Sequence, residues 1–165
     1  MHRTSLTRLD ARLLAAAVLS GLFVTSVPAA YAAEQDWYSR STPLTAVEDG
    51  EAQALAYGTS YTKDGYLKNH TYYRDPRAGG DAVYTETGYT YFAPDQDGGS
   101  SWSEYGDSDQ SDRSSSGAWV DQYDKDDYSS SHSDADKGRV HSKVCEDQDW
   151  SPDACSRRPF FTFTL

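Results

Sequence analysis

The sequence is short of positive charge, of cysteine and of long apolar runs. Lys and Arg number 15 against 26 Asp and Glu, a formal net charge of −11. That balance excludes DNA, RNA and anionic membrane surfaces as expected partners, since all of them call for basic patches. There are two cysteines, Cys145 and Cys155, too few and too widely spaced for the usual paired zinc ligands. Catalytic signatures are missing too. There is no Gly-x-Ser-x-Gly, no His-Glu-x-x-His and no phosphate loop, and His70, His132 and His141 are scattered. No catalytic residue, cofactor site or metal site is expected, and the chain is read as a non-enzyme.

The one apolar run is Leu13 to Val27. It is short of the roughly 20 residues a membrane span needs. It follows Arg3, Arg8 and Arg12 and precedes Ala30-Tyr31-Ala32, a small-x-small cleavage pattern. Residues 1–32 are therefore expected to be an export signal cut after Ala32, with Ala29, Ala30 and Ala33 as alternative sites. The leader has no Arg-Arg pair and no lipobox cysteine. An uncleaved anchor is the competing reading, and the short run disfavours it. Cleavage removes three arginines and Asp10, leaving residues 33–165 with 12 basic and 25 acidic side chains, net −13. That length suits one domain, placed outside the cell with no membrane span after signal removal.

What the sequence has is tyrosine. Eight of its 13 tyrosines fall between Glu51 and Phe92, in three strand-like runs, and tyrosine suits a pleated, half-buried surface. Asp64-Gly65 is a type I′ hairpin signal, because both positions of that turn need positive φ. A two-residue loop there fixes the register: Lys63 faces Tyr66, and Tyr57 faces Tyr72. One face then carries Tyr57, Thr59, Tyr61, Lys68, His70 and Tyr72. The other carries Ala56, Gly58, Ser60, Asn69, Thr71 and Tyr73. Asp75 to Asp81 reads as a longer turn, and the run after it as the third strand of a meander. Glu51 to Ala56 also suits a helix by propensity.

Ala33 to Gly50 reads as an ordered arm or edge strand, with Trp37 and Tyr38 tucked against the meander. Residues 94–116 are rich in Asp, Ser and Gly and nearly free of aliphatics. Such composition does not repay ordering entropy, so a mobile acidic loop is expected, pinned at most by Trp102 and Tyr105. Gly117 to Tyr123 returns to strand chemistry, Asp124 to Asp127 reads as a turn, and the alternation from Tyr128 to Ala135 is too weak to assign. Gly138 to Cys145 and the terminal Phe-Phe-Thr-Phe-Thr-Leu alternate as strands. The fold class expected is all-β: a single antiparallel β-sandwich or flattened barrel of about six to eight strands.

An even cysteine count in an exported chain implies a Cys145–Cys155 disulfide, with Trp150 as a packing anchor inside its loop. Carboxylates at i, i+2 in Asp95 to Gly98, Asp107 to Asp112 and Asp134 to Gly138 suggest calcium. None completes an EF-hand loop, and a solvated acidic surface is the preferred reading. Glu86, on a strand amid tyrosines, is the one residue placed like a glycosidase carboxylate, although a satisfied carboxylate is commoner. Asn69-His70-Thr71 fits a glycosylation sequon but falls inside a strand. The aromatic rows suit sugar stacking or cross-strand pairing, and pairing is preferred.

The segments HTYYRDPRAGGDAVYTET, GAWVDQY and KVCEDQDWSPDACS resemble small secreted proteins of actinobacteria. That resemblance implies export and a compact domain and carries no activity. Lactococcin-like bacteriocins are similar in size, leader and aromatic β content, without shared motifs. The function expected is a secreted, non-enzymatic binding or structural module whose partner is a protein or a glycan. The alternatives are a secreted antimicrobial or toxin-like protein and a small extracellular hydrolase using Glu86 or a clustered aspartate.

Overall fold

Two antiparallel sheets face each other in the computed structural model, which describes residues 33–77, 80–105 and 108–165. The expected leader, residues 1–32, lies outside the described residues, as does Asp107 of the second acidic cluster. The first sheet is built from β1 (Glu34–Trp37), β2 (Leu44–Glu48), β3 (Glu51–Lys63), β4 (Tyr66–Arg74) and β8 (Val120–Asp127). Its order is β1-β3-β4-β8, with β2 beside β1 on the same edge of β3. The second contains β5 (Val83–Pro94), β6 (Ser100–Trp102), β7 (Ser108–Gln110), β9 (Lys137–Glu146), β10 (Ala154–Cys155) and β11 (Phe160–Thr164). Here β9 and β5 are central, β10 and β11 line the far edge of β9, and β6 and β7 line the far edge of β5. A single turn of helix, α1 (Tyr128–Ser131), follows β8. The expected all-β antiparallel sandwich is what the chain forms.

The β3–β4 hairpin has the expected register, Lys63 opposite Tyr66 and Tyr57 opposite Tyr72. Asp64 and Gly65 have φ of 55° and 81°, the left-handed pair that a type I′ turn requires. The face bearing Ala56, Ser60, Asn69, Thr71 and Tyr73 is the buried one. Gly58 sits on that face beneath the indole of Trp37. A Cβ there would lie 2.2 Å from the His70 carbonyl and 2.7 Å from the Trp37 ring, so only glycine admits the tryptophan. The arm is thus ordered as β1 and β2, with Trp37 in the core.

Between the sheets lie two apolar clusters. Trp37, Leu44, Ala46, Ala54, Ala56, Tyr73, Val83 and Val144 form the larger. Leu67, Tyr91, Val140 and Phe163 form the smaller. The Asn69 amide is buried among polar partners from both sheets. Its oxygen accepts from Trp37 Nε1 (3.1 Å) and Ser60 Oγ (2.9 Å). Its nitrogen donates to Thr71 Oγ1 (2.8 Å) and Thr87 Oγ1 (2.9 Å), with Ser142 Oγ at 3.2 Å.

Several expectations are corrected. The third run of the expected meander does not pair with the second: β5 leaves the sheet and pairs with β9, while the free edge of β4 takes β8. The reason lies in the connection. The Asp75 amide is tied to the Ser116 carbonyl and its carboxylate accepts from the Arg77 amide, turning the chain toward the other sheet. Glu51 to Ala56 is the strand expected of the first run and not the helix its propensity also allowed, because β2 pairs along it and β4 joins from Leu55. Asp124 to Asp127 is the end of β8, not a turn, since pairing with Tyr66 to Asn69 overrides the local turn preference.

Residues 94–116 are not a free loop where they are described. β6 and β7 pair with β5, Ser114 bridges to Val83, and Ser103 and Ser111 bond the β5 backbone. Main-chain pairing supplies the ordering that the side chains lack. Trp150 is not a packing anchor either. It is 99% exposed, at the tip of a loop held by its shoulders.

Candidate functional site

The sandwich closes differently on its two sides. On one, Trp37 stacks on Phe161 with ring centroids 6.4 Å apart, and Gln35 Nε2 donates to the Thr162 carbonyl (3.3 Å). On the other, between β8 and the β6–β7 edge, there is a cleft of about 290 Å³ lined by Tyr89, Tyr91, Ser103, Glu104, Asp109, Asp126 and His132.

Each wall follows from local sequence. Period-2 alternation along β5 turns Tyr89 and Tyr91 to the same face as Thr87. On β8 it turns Asp124 and Asp126 inward and leaves Tyr123 and Lys125 outside. Thr87 Oγ1 donates to Asp124 Oδ2 (2.6 Å), and the Tyr91 hydroxyl donates to Asp126 Oδ2. Asp127 caps α1 through the Ser130 amide. The helical turn then delivers His132 onto Tyr91, ring centroids 4.0 Å apart and nearly parallel. β7 brings Asp109 opposite Thr87.

The electrostatics of the cleft are those of crowded negative charge. The Asp109 carboxyl is held above the usual carboxylate range, first by partial desolvation and then by Asp124 and Asp126. The Tyr89 and Tyr91 phenols are raised far above their ordinary value, chiefly by burial and then by these carboxylates, so both stay protonated. The Tyr89 hydroxyl is buried and has no hydrogen-bond partner among the described residues. A buried donor left in this way costs about 1–3 kcal/mol.

Asn69 and the cleft are connected. The Trp37 indole donates to Asn69, Asn69 donates to Thr87, and Thr87 donates to Asp124. The dipoles run head to tail and end on a carboxylate. Buried chains of this kind strengthen each bond in the series.

The residues singled out from sequence fall elsewhere. Cys145 and Cys155 are directly opposite on β9 and β10 and are disulfide-bonded. Glu86 is 8% exposed and fully engaged: Gln110 Nε2 reaches one oxygen (3.0 Å), Lys143 Nζ (2.6 Å) and Arg158 Nη2 (3.5 Å) the other. Both of its oxygens are partnered. Asp95 folds its own turn, accepting from the amides of Asp97 and Gly99. Asp134 and Asp136 are exposed. Among the described residues no three His, Cys, Asp or Glu side chains converge as ligands of one ion.

The aromatic row on the outer face of the first sheet is a ladder of mutual contacts. Tyr57 stacks on Tyr72 (5.0 Å) and meets Trp119 edge-on (4.8 Å). His70 packs against Tyr72 (4.4 Å) and stacks on Tyr123 (3.8 Å). Rings so arranged cover one another's faces, which favours cross-strand pairing over sugar stacking.

The cleft joins carboxylates that the sequence distributed to a supposed loop and a supposed turn. The missed signal is the alternation Val120, Gln122, Asp124, Asp126, a strand whose inner face turns acidic. No family model, curated protein or solved structure matches the chain.

Proposed function

We propose that the protein is a secreted, non-enzymatic binding module that takes a cationic group, a primary amine or a basic side chain, in the cleft between β8 and the β6–β7 edge. The observation that carries this reading is the lining of the cleft, where Glu104, Asp109 and Asp126 stand with no lysine or arginine among them; the upward shift of Asp109, first from desolvation and then from Asp124 and Asp126, agrees with it. A fold that holds like charges together at an opening stores an electrostatic cost that a bound cation relieves. His132, stacked on the buried Tyr91, gives the cleft an aromatic wall for the stem of such a cation. The carboxylates line the walls instead of converging, which suits an extended organic cation better than a bare metal ion.

Export belongs to the same reading. It rests on the leader-like first 32 residues and on the disulfide, which fits an oxidising compartment. No helix among the described residues is long and apolar enough to cross a membrane. The hydrolase reading loses its best residue, because both Glu86 oxygens are occupied. A net charge of −13 after leader removal opposes attraction to anionic envelopes, which weighs against a toxin-like role.

The test is a titration of the purified protein with cadaverine, a lysine-rich peptide and calcium chloride, followed by tyrosine fluorescence and melting. The amines are expected to bind, to weaken as salt rises, and to lose at least tenfold in affinity on Asp109→Asn or Asp126→Asn. A response to calcium alone, or amine binding indifferent to both substitutions, would overturn the reading.

A further inference from the structure

On the far side of the second sheet the charge reverses. Alternate residues of β9 place Lys137, Arg139, His141 and Lys143 on its outer face. Lys143 is paired with Glu86 at 2.6 Å, and Arg158 reaches the same carboxylate at 3.5 Å. Arg139 has no carboxylate partner among the described residues. Its Nε donates to Thr162 Oγ1 (3.3 Å). Its guanidinium lies 3.6 Å from the Trp102 ring centroid and 4.4 Å from that of Phe160. A planar cation held between two rings, with its terminal nitrogens unpaired, is ready for a bidentate oxyanion and loses little freedom on binding one.

The neighbours say which oxyanion carrier fits. Phe160 is 50% exposed although one side of its ring meets Arg139. A chain of pyranoses bearing carboxylates presents both needed groups: a charge on one unit for the fork and a C–H face on the next for the ring. An acidic peptide would use the charge and leave the ring idle. We propose that Arg139, Phe160 and Trp102 form a binding site for an acidic oligosaccharide, a carboxylate of one unit on the Arg139 fork and the C–H face of a neighbouring unit on the side of Phe160 away from Arg139. None of these three residues lines the acidic cleft.

His141 provides a reporter. It is flanked by Tyr105 and Phe160, and its Nε2 is 3.0 Å from Thr90 Oγ1. Burial first, then Arg139 and Arg158, push the imidazole down to about 4. An anion on Arg139 offsets one of those cations, so binding raises the His141 value.

The test titrates the protein with trigalacturonic acid, its methyl ester and a short polyglutamate, following affinity by calorimetry and the His141 ring protons by NMR. The acid sugar is expected to bind and to move the His141 titration upward. The ester and polyglutamate are expected to bind at least tenfold more weakly. Arg139→Lys, which keeps the charge and removes the fork, and Phe160→Ala should each cost at least tenfold while the circular dichroism spectrum is unchanged. Equal binding of the ester or of polyglutamate, an unmoved His141, or indifference to Arg139→Lys would each overturn the site.

Discussion

Asn69 uses its whole amide inside the protein, and its partners come from both sheets. Ser60 and Thr71 belong to the first sheet, Thr87 and Ser142 to the second. An apolar contact would tolerate sliding of one sheet over the other, whereas these bonds do not. The same burial, 1% exposure, closes the sequon at Asn69 to any glycan once the protein is folded. Asn69→Leu keeps approximate size and removes every donor and acceptor. It strands the Trp37 indole N–H and the surrounding hydroxyls at a buried position, each at about 1–3 kcal/mol. The expected loss is about 3 kcal/mol or more, read from the urea midpoint at unchanged slope. A loss below about 1 kcal/mol would mean that the hub contributes little to stability.

At the scale of elements, the loop closed by the disulfide shows what is braced and what is presented. The Asp147 amide bonds the Ala82 carbonyl, and its carboxylate accepts from Arg113 (2.9 Å). Asp153 accepts from the Tyr84 hydroxyl (2.6 Å). Trp150 stands clear of them all. Trp150→Ser should therefore leave stability within about 0.5 kcal/mol. Replacing both Cys145 and Cys155 by serine should cost about 2–3 kcal/mol. Thermal melts of the two variants separate the roles, and a Trp150→Ser loss comparable to the cysteine loss would contradict them. The hairpin register was legible because two residues, Asp64 and Gly65, dictate it locally. The destination of β5 was not, since its alternation reads the same whichever sheet it joins; what decides is the tie between Asp75 and Ser116, far apart in sequence. Order in the described part of residues 94–116 was hidden for a related reason: it comes from backbone pairing with β5, which composition does not register. Of the cleft, the aromatic half was visible as alternation on β5. The acidic half was not, because Asp124 and Asp126 carry turn propensity that cross-strand pairing overrides.

The molecule as a whole sorts its charge, with carboxylates at the open side and cations over the second sheet. β8 is the edge of its sheet, and inward-pointing Asp124 and Asp126 guard that edge against pairing with another chain. The same aspartates crowd Asp109, so the open side trades stability for an anionic cleft. Asp109→Asn removes one of the competing charges and should raise the melting temperature at neutral pH while weakening amine binding. Asp109 is exposed, and solvent screening limits the gain to about 2 °C, the scale of about half a kcal/mol in a domain of this size. The pH dependence has a definite sign. A carboxyl raised in the folded state above its ordinary value of 3.8 favours folding below that value. That contribution is lost as pH rises through the folded value. Wild type therefore carries the penalty above that window, and Asp109→Asn does not. The two melting curves should coincide near pH 3 and part on the way to neutrality, with the variant higher. A variant that melts lower than wild type at pH 7, or by the same margin at every pH, would show that Asp109 is not under repulsion. The cleft would then lose the electrostatic reason for taking a cation.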